Sequence, residues 1–341
     1  MTTILEDEIR SQGDVLRQRA DVSMQQATIA AANWHDVAYA LVAARGSSDN
    51  AALFFQYLAG RELGLVVALA TPSLFQGDSV MRVRDAGVLA ISQSGRSPGM
   101  ADVLRLARSG HCPTLVVTND ATSELAVVAD SVIELFAGAE RALASTKTFT
   151  SSCHALAQFV AALRGGPLDG LDSLPDDIDR VTQWALATTL PVEDFDVASG
   201  LTVVGRGIGY AAAKEISIKI REVTGIRSEP YAAPDFLHGP IGADGAGATL
   251  LLVVTDEVTD DVAASVLEQS RARGMRTIVL RSSERSRQLC DAEIEVCESL
   301  SNWSLGLAFV VVGQVLALRL GEQKGRPIDT SPGLNKVTLT A

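Results

Sequence analysis

The chain repeats one structural grammar twice, and this limits the folds open to it more than any other feature. An apolar run, residues 38–44, ends in Arg45-Gly46-Ser47-Ser48. A second, residues 201–204, ends in Gly205-Arg206-Gly207-Ile208-Gly209. Each is followed by a helical stretch and then a second strand, at 87–91 and 248–254. Helices at 101–109 and 261–274 come next, then third strands at 114–117 and 277–280. Matching landmarks lie about 160 residues apart, as an internal duplication requires. Strands alternating with helices predict a parallel sheet with helices on both faces. The expected fold class is therefore α/β, with two tandem Rossmann-like, doubly wound domains. The first thirty residues read as helical, with Ile4, Ile9, Val15, Leu16 and Ala20 as an imperfect stripe. The boundaries read as a helical segment 1–30, a first domain 31–190, a second domain 191–330 and a tail 331–341. The junction follows the loop-rich stretch opened by Arg164-Gly165-Gly166-Pro167.

Composition narrows the function. The 341 residues carry a net charge of -12, and only 5% are aromatic. Nucleic-acid partners are disfavoured, because backbone binding needs a basic face and single strands need stacking platforms. The longest apolar run, 305–318, is short and contains Gln314, so it reads as a buried helix. The acidic N-terminus has no signal-peptide pattern. Cys112, Cys153, Cys290 and Cys297 are scattered, as are the four histidines, so no metal and no cofactor are expected. A soluble, reduced, cytoplasmic protein is the simplest expectation.

Two constellations carry candidate chemistry. Strand 88–91 runs straight into Ser92-Gln93-Ser94-Gly95-Arg96-Ser97-Pro98, with a helix beyond. Small hydroxyl residues and a glycine at a strand-to-helix junction suit an anion, because free N–H groups and the helix dipole point at it. Such stretches are also commonly plain turns. No Walker lysine and no dinucleotide fingerprint are present. The second constellation is Glu215, Lys219 and Glu222, spaced four and three apart and so stacked on one helix face. Ile216, Ile220 and Val223 form the neighbouring apolar face. One loop later comes His238-Gly239-Pro240. Two carboxylates flanking an ammonium, with an imidazole nearby, suit proton movement on a sugar. On spacing alone the plainer reading is favoured, because Glu–Lys pairs four apart are mostly solvated surface pairs and a lone loop histidine is usually just that.

Together these motifs resemble the sugar isomerase (SIS) family, in particular the isomerase half of glucosamine-6-phosphate synthase and its short stand-alone relatives. The resemblance covers nearly the whole chain. It rests on Gly46-Ser47-Ser48, on Ser92-Gln93-Ser94-Gly95 with Ser97, and on Ala137-Gly138-Ala139-Glu140 with Ala144-Ser145-Thr146-Lys147 and Phe149-Thr150. The run from Gly205-Arg206-Gly207 through Tyr231-Ala232-Ala233 to His238-Gly239-Pro240 completes it. The resemblance implies that Glu222 shuttles a proton between carbons 1 and 2. It implies that His238 opens the sugar ring and reaches a neighbouring subunit's site, in a homodimer. Glu215 and Lys219 match the polar residues beside that carboxylate, and Lys336 the tail lysine that forms a Schiff base with the keto sugar. Ser47, Ser48, Ser92, Gln93, Ser94, Ser97, Leu143 and Ser145 are the implied contacts to phosphate and substrate.

The chain departs from the synthase pattern in three places. It begins Met1-Thr2, so no glutaminase and no ammonia from glutamine are expected. The serine after the tail lysine is missing, and Leu237 stands where a lysine precedes the histidine. The expected activity is an isomerising deaminase, converting glucosamine 6-phosphate to fructose 6-phosphate and ammonia. A deglycase or deaminase of another amino sugar phosphate, and a non-catalytic phosphosugar sensor, are the alternatives.

Overall fold

The computed structural model describes residues 2–34, 36–77, 80–195, 198–255, 258–281, 283–296, 300–330 and 336. Cys297, and the tail apart from Lys336, lie outside them. The chain divides into two compact units. One holds Ser11–Glu140, Lys147–Pro175 and Asn335–Ala341; the other holds Met1–Arg10, Arg141–Thr146 and Asp176–Leu334.

The short helix α1 (Ile4–Arg10) belongs to the second unit, and α2 (Gln12–Ala31) opens the first. The first unit continues β1 (Tyr39–Ala43), α3 (Ser47–Leu63), β2 (Val66–Leu69), β3 (Ala86–Ser92) and α4 (Met100–Ser109). Then come β4 (Thr114–Thr118), α5 (Glu124–Val128), β5 (Ser131–Glu134) and α6 (Lys147–Arg164). All four strand pairings are parallel, in the order β2-β1-β3-β4-β5. The central strands β3 and β4 are buried along their whole length. That explains their uninterrupted apolar sequence, since helices cover both faces of a parallel sheet.

After α7 (Leu174–Ala187), the second unit runs β6 (Leu201–Gly205), α8 (Ile208–Thr224), β7 (Ser228–Ala232), α9 (Ala233–Leu237) and β8 (Thr249–Val253). It ends with α10 (Asp260–Ala272), β9 (Arg276–Leu280), α11 (Glu284–Leu289), β10 (Ala292–Ile294) and α12 (Asn302–Gln323). Its sheet, β7-β6-β8-β9-β10, is again parallel and repeats the first order strand for strand. The repeat extends to backbone detail. Gly46 (φ 60, ψ −132) and Gly207 (φ 58, ψ −132) stand before α3 and α8 in the same conformation, one that side chains disfavour.

Each sheet has two strands beyond the three predicted per half. β2 is a four-residue strand exposed at three positions, and β7 contains Pro230. Both are sheet edges, where short length and proline are tolerated and the apolar signal is weak.

The run 305–318 is the middle of α12. This helix is long and apolar enough to span a membrane, but 94% of its apolar window is buried inside the protein. It packs on α8 through a notch of small residues. A methyl group added at Gly306 would lie 2.4 Å from Ile208 Cγ2, and one at Gly313 would lie 2.4 Å from Ile216 Cγ1. In the first unit α2 packs on α6, and its Arg19 is buried against the ring of His154. Arg19 always donates, so His154 Nδ1 accepts. Burial, with the Arg19 charge, pushes the His154 imidazole well below its ordinary range. Cys112 and Cys153 are buried and Cys290 partly so, all as free thiols.

Candidate active site

In the first unit the strand order reverses between β1 and β3, so the chain leaves these neighbours in opposite directions. A switch point of this kind leaves a crevice at the carboxyl ends of the strands, which is where open α/β sheets as a class bind ligands. Gly46-Ser47-Ser48 follow β1, and the segment from Gln93 to Ser97 follows β3, so the two sequence-predicted anion elements flank one switch point. Ser47 and Ser48 occupy the first turn of the 17-residue α3, the end of a helix that favours negative charge.

The Ser92 loop is held by its own hydroxyls. Ser92 is buried; its Oγ accepts from Gly95 N at 3.1 Å and lies 2.8 Å from Ser97 Oγ. Arg96 N donates to Ser94 Oγ at 3.3 Å. Gly95 has φ 62, and an added Cβ would lie 1.9 Å from Ser123 Oγ, so no side chain fits. Gln93 O accepts from Asn119 N at 3.1 Å, tying the loop to the end of β4. Gln93, Ser94 and Ser97 stay partly exposed and can meet a ligand.

The second unit carries the charged face. Glu215, Lys219 and Glu222 lie on α8 as their spacing predicts, but they are not a solvated surface set. Side-chain exposure is 0% for Glu215, 1% for Lys219 and 25% for Glu222. Lys219 Nζ donates to Glu222 Oε2 at 2.7 Å and lies 3.4 Å from Glu215 Oε1. A buried ammonium thus sits between a buried carboxylate and one that still meets solvent. Such an ionic cluster is weak evidence for stability, since apolar replacements often do as well, and its arrangement points to chemistry instead. Glu222 can take or give a proton at its exposed side while Lys219 fixes its orientation.

His238 follows α9 in a turn and is exposed, with its backbone N–H donating to Pro234 O and Asp235 O. Leu143 and Ser145 are partly buried on the segment Arg141–Thr146, which clusters with the second unit and not with the serine loop. That segment is held by Glu8, whose Oε2 accepts from Ala142 N at 3.3 Å. Lys336 belongs to the first unit, and its Nζ donates to Glu140 Oε2 at 2.7 Å. Sequence reasoning placed Glu140 within a motif but assigned it no role. Its partner is 196 residues away, and no local pattern signals such a contact.

A family model described as the SIS domain matches residues 36–162 and 197–300, one stretch on each sheet. The chain belongs to the SIS domain family. Among its SIS relatives, a glutamine–fructose-6-phosphate aminotransferase (isomerizing) from Symbiobacterium thermophilum is 27% identical over 97% of this chain and 57% of that protein. One of the same name from Treponema pallidum is 30% identical over 86% of this chain and 50% of that protein. The chain spans about half the length of these curated relatives. Among solved SIS structures, a Silicibacter pomeroyi DSS-3 chain, provisionally assigned as a phosphosugar isomerase, is 27% identical. It superposes with a TM-score of 0.84 over 96% of this chain and 99% of its own. The glucosamine-6-phosphate deaminase of Thermotoga maritima, at 17% identity, shares the fold with a TM-score of 0.76 over 98% of this chain and 99% of its own.

Proposed function

We propose that this SIS protein is an isomerising deaminase that converts glucosamine 6-phosphate and water to fructose 6-phosphate and ammonia. The observation that carries this reading is the buried Glu215–Lys219–Glu222 cluster with its one solvent-facing carboxylate. Membership of a phosphosugar isomerase family supports the substrate class. Relatives named for isomerising amination of fructose 6-phosphate support the amino sugar. The end-to-end fold match to the Thermotoga maritima deaminase supports the direction towards ammonia release.

In this reading the serine loop and the first turn of α3 hold the phosphate, and His238 assists ring opening to the aldehyde. Glu222 removes the proton on carbon 2 and returns one to carbon 1. The electron pair of the broken C–H bond passes through an enolamine, and carbon 2 becomes an imine. Water adds to that carbon and ammonia leaves, giving the ketose. Leu143 and Ser145 are read as substrate contacts and Lys336 as a hold on the open-chain keto form. The exposed turn bearing His238 suits a homodimer in which this histidine serves the partner's site. The protein is read as cytoplasmic.

The reading is tested by measuring ammonia release from a panel of amino sugar phosphates and amino-acid–sugar phosphate adducts. Glucosamine 6-phosphate is expected to be turned over best. Release only from an adduct would favour a deglycase, and binding with no release from any compound would favour a sensor. Ser94→Ala is expected to weaken fructose 6-phosphate binding by ~1–3 kcal/mol through loss of a charge-assisted bond, and Ser92→Ala to weaken it by releasing Gly95 and Ser97 from the buried hydroxyl that shapes the loop. Calorimetry checks this, and equal affinity for unphosphorylated fructose would sink the assignment of the loop.

A further inference from the structure

We propose that Glu140 is the positioning residue for Lys336, seating its ammonium at the edge of the first sheet that binds the sugar phosphate. This rests on the reading of the crevice between β1 and β3 as the sugar phosphate site.

The argument starts from how firmly Glu140 is held. It follows β5, and the segment leading to it is clasped from the end of β4. Asn119 Oδ1 accepts from Ala137 N at 2.8 Å, and Asn119 Nδ2 donates to Gly138 O at 2.8 Å. The Glu140 side chain has 0% exposure. Thr148, in the first turn of the 18-residue α6, donates to it twice. Its N–H reaches Oε1 at 3.0 Å and its hydroxyl reaches Oε2 at 2.6 Å. The carboxylate therefore caps a long helix at the end that favours negative charge.

Into this fixed anion comes a residue from the far end of the chain. Lys336 Nζ donates to Glu140 Oε2 at 2.7 Å, and the Lys336 side chain keeps 21% exposure. One of the three N–H donors of an ammonium faces the carboxylate. Burial alone pushes the Glu140 carboxyl up; the Lys336 charge and the bonds from Lys336 and Thr148 outweigh it and hold the group below the ordinary carboxylate range. The pair is then intact at neutral pH and is lost only as pH falls through that lowered value.

The placement matters because the sheet is parallel. The carboxyl ends of β3 and β5 lie on one edge, two strands or about 10 Å apart. That is the scale of an open-chain hexose phosphate. A cation pinned beyond β5 can address the sugar end of a ligand whose phosphate sits beyond β3. The flexible lysine gains a set position from a carboxylate that itself never meets solvent.

The test is a double-mutant cycle on the full chain with glucosamine 6-phosphate, using Glu140→Gln and Lys336→Met. Glutamine keeps an acceptor for Thr148 and removes the charge. Glu140→Gln is expected to lower kcat roughly ten- to hundredfold, the scale of a misplaced group, with KM nearly unchanged. Lys336→Met should lose at least as much, and the double variant no more than Lys336→Met alone. Losses that multiply, or a Glu140→Gln kcat within twofold of wild type, would overturn the proposal. A second measurement uses no sugar. Tryptic cleavage after Lys336, scored against cleavage after the exposed Lys324 by mass spectrometry, should be at least severalfold faster in Glu140→Gln. Unchanged cleavage overturns the pairing even where the deaminase reading stands. Wild type that turns over no sugar phosphate sinks that reading instead, while the cleavage ratio still decides the pairing.

Discussion

Replacing Glu222 by glutamine is expected to cut turnover of glucosamine 6-phosphate by roughly 10²–10⁴-fold, the usual worth of a positioned general base. The amide keeps the shape of the side chain and an acceptor for Lys219, so phosphosugar binding should survive. Stopped assays for ammonia beside calorimetry with fructose 6-phosphate separate the two effects. Near-normal ammonia release from this variant would mean that another residue is the base. The same variant tests the shared site. If His238 serves the neighbouring subunit, mixing Glu222→Gln with His238→Ala protein should regain part of the activity, because hybrid dimers hold one site with both groups intact. An active monomer on sizing would exclude this.

The second large effect concerns folding. Lys219→Met removes the ammonium and leaves Glu215, a fully buried carboxylate, beside a thioether. Breaking a buried pair from one side costs about 3–5 kcal/mol, because the remaining charge is stranded out of water. Urea unfolding should show that loss. Adding Glu215→Leu should recover most of it, since an apolar pair in place of a buried ionic one is often neutral or better. Glu222, still partly solvated, needs no such compensation. A Lys219→Met protein within 1 kcal/mol (roughly) of wild type would mean that water or another cation reaches Glu215.

The parts of this molecule legible in its sequence are those written with a short period. Glu215, Lys219 and Glu222 announce a helix face because the 3.6-residue repeat brings them together. The strands that end at Ala43, Ser92 and Gly205 are legible because they lie inside the sheets and each run is almost wholly apolar. β2 and β7 escape because an edge strand needs little apolar sequence, and β7 even accommodates Pro230. Burial of the charged face is equally hidden. The spacing is the same whether the face meets water or protein, and only the fold shows that Lys219 is enclosed. The Glu140–Lys336 contact is the extreme case, a pair that no local period can encode.

The notch on α12 ties the chemistry to a helix whose packed stretch bears no charge. Ile208 and Ile216 drop into the gaps at Gly306 and Gly313 like teeth into a rack, so α8 has one axial setting. All three charges of the proton-handling face ride on that setting as a single rigid body. A selection for altered activity would then recover changes at Gly306 or Gly313 as readily as changes beside Glu222. For the same reason the carboxylates cannot be tuned independently of the core. Evolution towards a new sugar must work through the loops around α8, because the helix itself has nowhere else to sit.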